Sequence, residues 1–280
     1  MSEFHYPLNS NTLGRFLRDV AEGGYQRLDL RRFDFIDVYS SMVLALLLRY
    51  SCTLKGPPDL LLPESEDVRA YLARQELFQI IDEWYEIDDG LRALQARQWA
   101  GNPRVAPITT IESEGAVSQV VDRLRNLLVT PEFGVARRIA DDVWRVLSET
   151  LQNIPQHASL DPSETETGFA TLQLYRNRLD LAVGDAGIGI RRSLSENPRY
   201  RECSDTQSQL AVLQRGATKT ARAGRGNGLQ RTAEIIAALG GFLRLQSGDC
   251  VTVSSKGNFR QFDCTVFPGT QLLVRIPCRS

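Results

Sequence analysis

The chain has 280 residues, 42% of them hydrophobic and 24% charged, a composition that allows two cores and lacks the polar bias of a disordered chain. Its 33 basic and 34 acidic residues leave a net charge of −1, so no global basic field points to a nucleic acid or an anionic membrane surface. The five cysteines show no C-x-x-C spacing and leave an odd one over, and His5 and His157 are the only histidines, which disfavours a disulfide scaffold and a zinc centre and predicts reduced, mostly buried thiols.

The opening MSEFHYPLNS has neither the charged nor the apolar region of a signal peptide, and the longest apolar run, Met42 to Leu48, is too short to span a bilayer. A cytoplasmic location is expected. Leu13, Phe16, Leu17 and Val20 recur at helical spacing within Asn11 to Glu22, behind a polar start that can cap the helix, and Gly23-Gly24 ends it. Tyr25 to Leu30 reads as a strand, Asp37 to Tyr50 as a helix with Val38, Met42 and Leu46 on its apolar face, and Cys52 to Leu54 as a short strand before Gly56-Pro57-Pro58. Ser65 to Arg74, capped by Ser65, and Glu76 to Tyr85 read as helices. Alternating strand and helix describe a small α/β unit.

Leu28 to Leu47, LDLRRFDFIDVYSSMVLALL, resembles the core of a STAS domain, with a strand ending in an aspartate turn and a helix following. Where phosphorylated members of that family carry a serine just after the aspartate, this chain has Val38 and Tyr39, with Ser40 and Ser41 one or two places on. A docking or structural module is therefore expected over a phosphoserine switch. Ala100 to Thr110, with two prolines and a glycine, reads as a linker between residues 1–105 and a second domain over residues 112–280.

In the second half, Glu114 to Leu128 reads as an amphipathic helix, and Pro131 is placed to open the next, whose face runs through Ile139, Val143, Val146, Thr150 and Ile154. Gly168 to Tyr175 and Arg178 to Val183 form a hairpin about Arg176-Asn177. A helix is expected over Gly228 to Leu239, then strands over Phe242 to Gln246, Phe259 to Thr265 and Gln271 to Ile276.

Three boxes carry chemistry. In ETLQNIPQH, spacing of four places Glu149, Asn153 and His157 along one helical stripe, where a carboxylate can orient or deprotonate water and an amide oxygen can ligate Mg²⁺. In VGDAGIGI, Asp185 ends an apolar strand and can accept from the exocyclic amine of adenine, with Gly187 and Gly189 permitting close backbone approach. In AGRGNGLQRTAEII, Gly224, Gly226 and Gly228 precede a helix whose N-terminus, with the loop N–H groups, suits phosphate. Small, polar and basic Ala217 to Ala223 read as a lid rather than the strand that a Rossmann fingerprint requires.

In this order the boxes resemble the GHKL superfamily of gyrase, Hsp90, histidine kinase and MutL ATPases, and FPGTQLLVRIP looks like that family's terminal strands. The resemblance covers residues 112–280 and implies an α/β sandwich whose mixed sheet carries helices on one face, with ATP and Mg²⁺ as ligands. It implies Glu149 as the catalytic base and Asn153 as the metal ligand. Asp185, Gly187, Gly189 and Thr270 would hold the adenine end, and Lys219, Gly224, Arg225, Gly226, Asn227, Gly228 and Leu229 would make the lid and phosphate contacts. Pro155 falls inside the first helix, so that helix is expected to kink or end near His157.

A self-phosphorylating histidine kinase is disfavoured, because neither histidine sits on a preceding dimerisation helix, and a clamp ATPase would need a transducer domain after Pro277. Two activities remain: an ATPase or anti-sigma-like protein serine kinase acting on a separate protein, or an ATP-gated module whose STAS-like part contacts a partner. The family often pairs, so a homodimer is one implied assembly. No membrane or direct nucleic-acid partner is expected.

Overall fold

Helix-forming and strand-forming segments alternate from the start of the chain. The structure, a computed structural model, describes residues 5–82, 85, 104–131, 135–157, 167–219 and 227–278. Its N-terminal unit contains β1 (Tyr6–Leu8), α1 (Leu13–Glu22), β2 (Arg27–Asp29), β3 (Phe33–Ile36), α2 (Val38–Lys55), β4 (Asp59–Leu61), α3 (Glu66–Arg74) and α4 (Leu77–Ile81). The strands form two separate parallel pairs, β1 with β3 and β2 with β4. The predicted apolar face of α1 is buried, but Thr12 does not cap it; its hydroxyl donates to the Pro7 carbonyl at 2.6 Å. Ser65 caps α3 as expected, accepting from the Val68 N–H at 3.4 Å.

The helix that follows Asp37 is longer than its sequence pattern indicates. The Asp37 carboxylate caps α2 by accepting the Ser40 N–H at 2.8 Å, and the helix continues through Cys52 to Leu54, which were expected as a strand. No breaker precedes Gly56, and the Ser51 and Thr53 hydroxyls donate back to the carbonyls of Leu47 and Tyr50 instead of leaving the helix. Every residue from Val38 to Leu48 is buried, the signature of a helix covered on all sides.

What covers it is the sheet of the C-terminal half. That half contains β5 (Val105–Ile111), α5 (Glu114–Leu128), α6 (Arg137–His157), β6 (Gly168–Leu174), β7 (Arg178–Asp185), α7 (Gly189–Leu194), a 3-10 turn (Pro198–Tyr200), α8 (Asp205–Arg215), α9 (Gly228–Ala238), β8 (Phe242–Ser255) and β9 (Asn258–Pro277). The five strands lie in the order β5-β6-β7-β9-β8 with every pairing antiparallel, where a mixed sheet was expected. Side chains alternate between its faces. Leu179, Leu181, Val183, Leu272, Val274 and Ile276 join the core beneath α5, α6, α8 and α9, whereas Phe169, Ala182, Phe267 and Leu273 join the core that contains α2. The sheet thus carries helices on both faces rather than one, which explains why β7 is apolar almost continuously instead of in alternation.

Small residues make the α2 contact possible. A side chain at Gly184 would meet Leu46 Cδ1 at 3.0 Å and Met42 Sδ at 3.1 Å. Polar contacts complete the junction. Tyr71 donates to Gln173 at 2.8 Å, Thr171 donates to Gln75 at 3.0 Å, and Arg275 lies 3.2 Å from Asp180 and 3.6 Å from Asp37. Asp180 is fully buried, and burial raises its pKa against the opposing pull of Arg178 and Arg275.

Three further expectations need correction. Of Ala100 to Thr110, taken for linker, residues 100–103 lie outside the described residues and Val105 to Thr110 belong to the edge strand β5; its edge position tolerates Pro107, and the register with β6 shifts there between Ala106 and Thr109. Pro131 lies in a turn, and the next helix begins only at Arg137. The three strands expected after α9 are one hairpin, closed by Lys256 (φ 52°) and Gly257 (φ 80°) and carried past Pro268-Gly269 by register shifts beside Gly248. Among the described residues no helix is long and apolar enough to cross a membrane.

Because α2 belongs to the same core as the sheet, Leu46→Ala, at a fully buried position, should cost about 2–5 kcal/mol. Denaturant unfolding followed by circular dichroism should show this loss in a single transition for the whole chain. A separate early transition for the N-terminal unit would contradict the shared core.

Candidate functional site

The C-terminal end of β7 opens into a cleft of about 90 Å³ between the sheet and helices α6, α7, α8 and α9. Its walls are apolar, formed by Ile154, Val183, Ile190, Leu194, Val212, Leu229 and Leu272, with Thr150, Asn153, Asp185, Ser193, Thr218, Lys219 and Thr270 supplying polar groups.

Asp185 sits at the floor with 7% exposure. Its Oδ1 accepts the Gly187 N–H at 2.9 Å, closing a tight turn, and its backbone carbonyl accepts from Gln271 Nε2 at 2.9 Å. Gly269, opposite, has φ 78°, and a side chain there would strike the Asp185 carbonyl. Gly189, with φ 76°, lies against Ser247, whose hydroxyl donates to the Gly269 carbonyl at 2.8 Å and accepts the Ile190 N–H at 3.0 Å. Gln209 ties α8 to the same corner, donating to the carbonyls of Ser247 at 2.9 Å and Cys250 at 2.8 Å. The carboxylate is therefore mounted on a braced turn.

Along α6 the stripe divides. Asn153 faces the cleft, while Glu149, one turn earlier, lies at its rim against Gly228 and pairs with Arg231 of α9 at 3.3 Å. Pro155 lies inside α6 near His157, the last residue of the helix before residues 158–166, which lie outside the described residues. The side chain of His157, together with Gly224, Arg225 and Gly226, lies outside the described residues. On the opposite wall Asn197 donates to the Thr218 carbonyl at 3.0 Å, which fixes the segment carrying Lys219. Gly216, with φ 58°, ends α8, where a side chain would collide with the Asn227 amide.

The structure thus brings Asn153, Asp185, Gly189, Lys219, Leu229 and Thr270 to one cleft, with Gly187 inside the floor turn and Glu149, Asn227 and Gly228 at the rim. Reasoning from sequence placed Thr218 only within the Ala217 to Ala223 lid and missed Ser193, Leu194 and Val212 among the lining, and Ser247, Gln209 and Gln271 among the braces. Helix α8 did carry a signal: Ser204 and Gln207 form a capping box ahead of it. The braces depend on strand register, for which the sequence had no marker.

Chemically, apolar walls above a buried carboxylate suit a ligand with a flat apolar face and a donor edge. Anionic groups would be drawn to Lys219 and to the N-terminus of α9. Thiol chemistry is disfavoured. No disulfide joins the five cysteines, though only Cys250 is fully buried where most were expected to be, and burial raises Cys250 and Cys278 and pushes Cys264 up to about 12. Among the described residues no cluster of three His, Cys, Asp or Glu could hold a metal unaided.

The floor turn can be tested by comparing two left-handed glycines. Gly240, φ 67°, has open space where a side chain would stand, so Gly240→Ala should cost only about 1–2 kcal/mol for the backbone. Gly269→Ala should cost roughly 1–3 kcal/mol beyond that in thermal or denaturant unfolding, because the Asp185 turn must move; equal losses would show that the turn is not braced there. No protein-family model matches the chain and no curated protein is significantly similar to it, so the chemistry of the cleft is what bears on function.

Proposed function

We propose that the chain is a GHKL-type signalling or regulatory protein of the cytoplasm that binds Mg²⁺-ATP in this cleft and hydrolyses it or transfers its γ-phosphoryl group to a separate protein. The observation that carries this reading is the convergence of Asn153, Asp185, Gly189, Lys219, Leu229 and Thr270, distant in sequence, on one apolar slot with a single carboxylate at its floor. Asp185 accepts the adenine amine while its other contacts hold the turn. Lys219 and the N-terminus of α9 meet the phosphates.

Asn153 would hold Mg²⁺ through its amide oxygen, a hard donor of the kind the ion takes. Bound Mg²⁺ supplies neutralisation of the phosphate charge. Glu149 accepts a proton from the attacking oxygen, of water or of a protein hydroxyl, as that oxygen bonds to the γ-phosphorus and the bond to the β–γ bridging oxygen breaks.

A second reading is favoured by the contact of Met42 and Leu46 with Gly184, the residue before Asp185. Nucleotide occupancy is then transmitted through α2 to the STAS-like unit, which meets a partner, and hydrolysis is incidental. A phosphoserine switch gains no support, since Ser40 and Ser41 are fully buried.

Phosphate release by the purified protein, compared with Glu149→Ala, separates the readings: turnover that falls at least tenfold, about 1.4 kcal/mol, supports catalysis, whereas ATP binding without turnover above the variant leaves the gated module. Asp185→Asn keeps an oxygen for the Gly187 N–H but loses the charge, and should weaken ATP binding by roughly 1–3 kcal/mol. Unchanged affinity in a calorimetric titration would overturn the adenine assignment.

A further inference from the structure

Arg231 is placed where the proposed reading leaves a role unfilled. It lies on α9 one turn after Gly228, its backbone N–H bonded to the Asn227 carbonyl at 2.8 Å, and its guanidinium reaches across the cleft rim to Glu149 Oε1 at 3.3 Å. The side chain is 65% exposed and Glu149 32% exposed. An ion pair so open contributes little to stability. It also sets the one carboxylate assigned to catalysis against a cation at the end of the cleft where the phosphates would lie, beside Gly228 and one turn from Asn153.

The guanidinium is a planar fork that suits carboxylate and phosphate alike. A terminal phosphate entering beside Glu149 offers Arg231 a second, more highly charged partner within the swing of one exposed side chain. Adenosine diphosphate lacks that group.

We propose that Arg231 is the γ-phosphate-sensing residue of this chain: it pairs with Glu149 when no triphosphate is bound, and turns to the terminal phosphate when one is, releasing the Glu149 carboxylate for its proton-accepting role. The inference rests on the ATP-binding reading above. It makes the residue that distinguishes ATP from ADP part of this chain, supplied in cis from the helix that follows the glycine loop, with no second domain required.

The test is the ratio of affinities for a nonhydrolysable Mg²⁺-ATP analogue and Mg²⁺-ADP, measured by calorimetric titration on the full chain. Wild type should favour the triphosphate, and Arg231→Ala should reduce that preference roughly tenfold by weakening the triphosphate alone, as loss of one charge-assisted contact implies. Arg231→Lys keeps the charge but not the fork and should restore part of it. An unchanged ratio in Arg231→Ala, or equal weakening of both nucleotides, would overturn the sensing role. If wild type binds neither nucleotide, the ATP-binding reading itself fails, and the two failures are thereby distinguished.

Discussion

Burial of α2 against the sheet is the contact on which the rest of the architecture depends. An eighteen-residue helix with apolar residues on every side cannot remain in water, and the sheet's second face, built from Phe169, Ala182, Phe267 and Leu273, cannot either. Each covers the other. Ala182 and Gly184 are small because the helix lies directly on them, so the glycine in VGDAG answers first to Met42 and Leu46. Asp37 has a comparable double duty, capping α2 through the Ser40 N–H while sharing Arg275 with buried Asp180. Removing either partner of such a network would strand a charge away from water, which is costlier than never having buried the pair.

That arrangement sets how the cleft can move. Its floor strand is clamped from below by α2, and the Asp185 turn is braced laterally by Gln271, Ser247 and the close approach of Gly269. The rim is different in kind. Glu149 and Arg231 meet across it through an exposed ion pair, and the wall at Thr218 takes a hydrogen bond from Asn197. A braced carboxylate at one end and an exposed ion pair at the other suit a pocket that holds one part of a ligand by fixed geometry and answers another part by rearrangement.

Much of the cleft was legible in the sequence because its signals are local. The four-residue spacing of Glu149 and Asn153 requires only that α6 be a helix, and the D-x-G-x-G turn requires only that β7 end there. The N-terminus of α9 was legible at Gly228 for the same reason. The burial of α2 was hidden because it is a relation between residues more than a hundred positions apart; from Leu28 to Leu47 the chain reads as an independent strand-turn-helix unit, and only the absence of a polar face hints otherwise. Strand β5 was obscured by Pro107, a breaker in a central strand but harmless at an edge. The mixed sheet was expected from the family resemblance and not from the strands themselves; among the described residues parallel pairing is confined to the two short N-terminal pairs.

The same geometry bears on the choice between catalysis and gating. A free docking module joined by a linker could report nucleotide binding only if binding altered the linker, but no such freedom exists where β5 is a strand of the sheet and α2 fills its second face. Among the described residues, one route for a signal to the N-terminal unit runs through packed side chains, from Asp185 to Gly184 and on to Met42 and Leu46. Packed interiors shift little without a large driving force, whereas the exposed Glu149–Arg231 pair can exchange partners at small cost. The motion most available to this fold is therefore at the rim, where the proposed chemistry occurs. This favours catalysis over gating: an ATP-driven signal to α2 would have to displace a helix buried from Val38 to Leu48, while phosphoryl transfer asks only that exposed Arg231 swing away from half-buried Glu149.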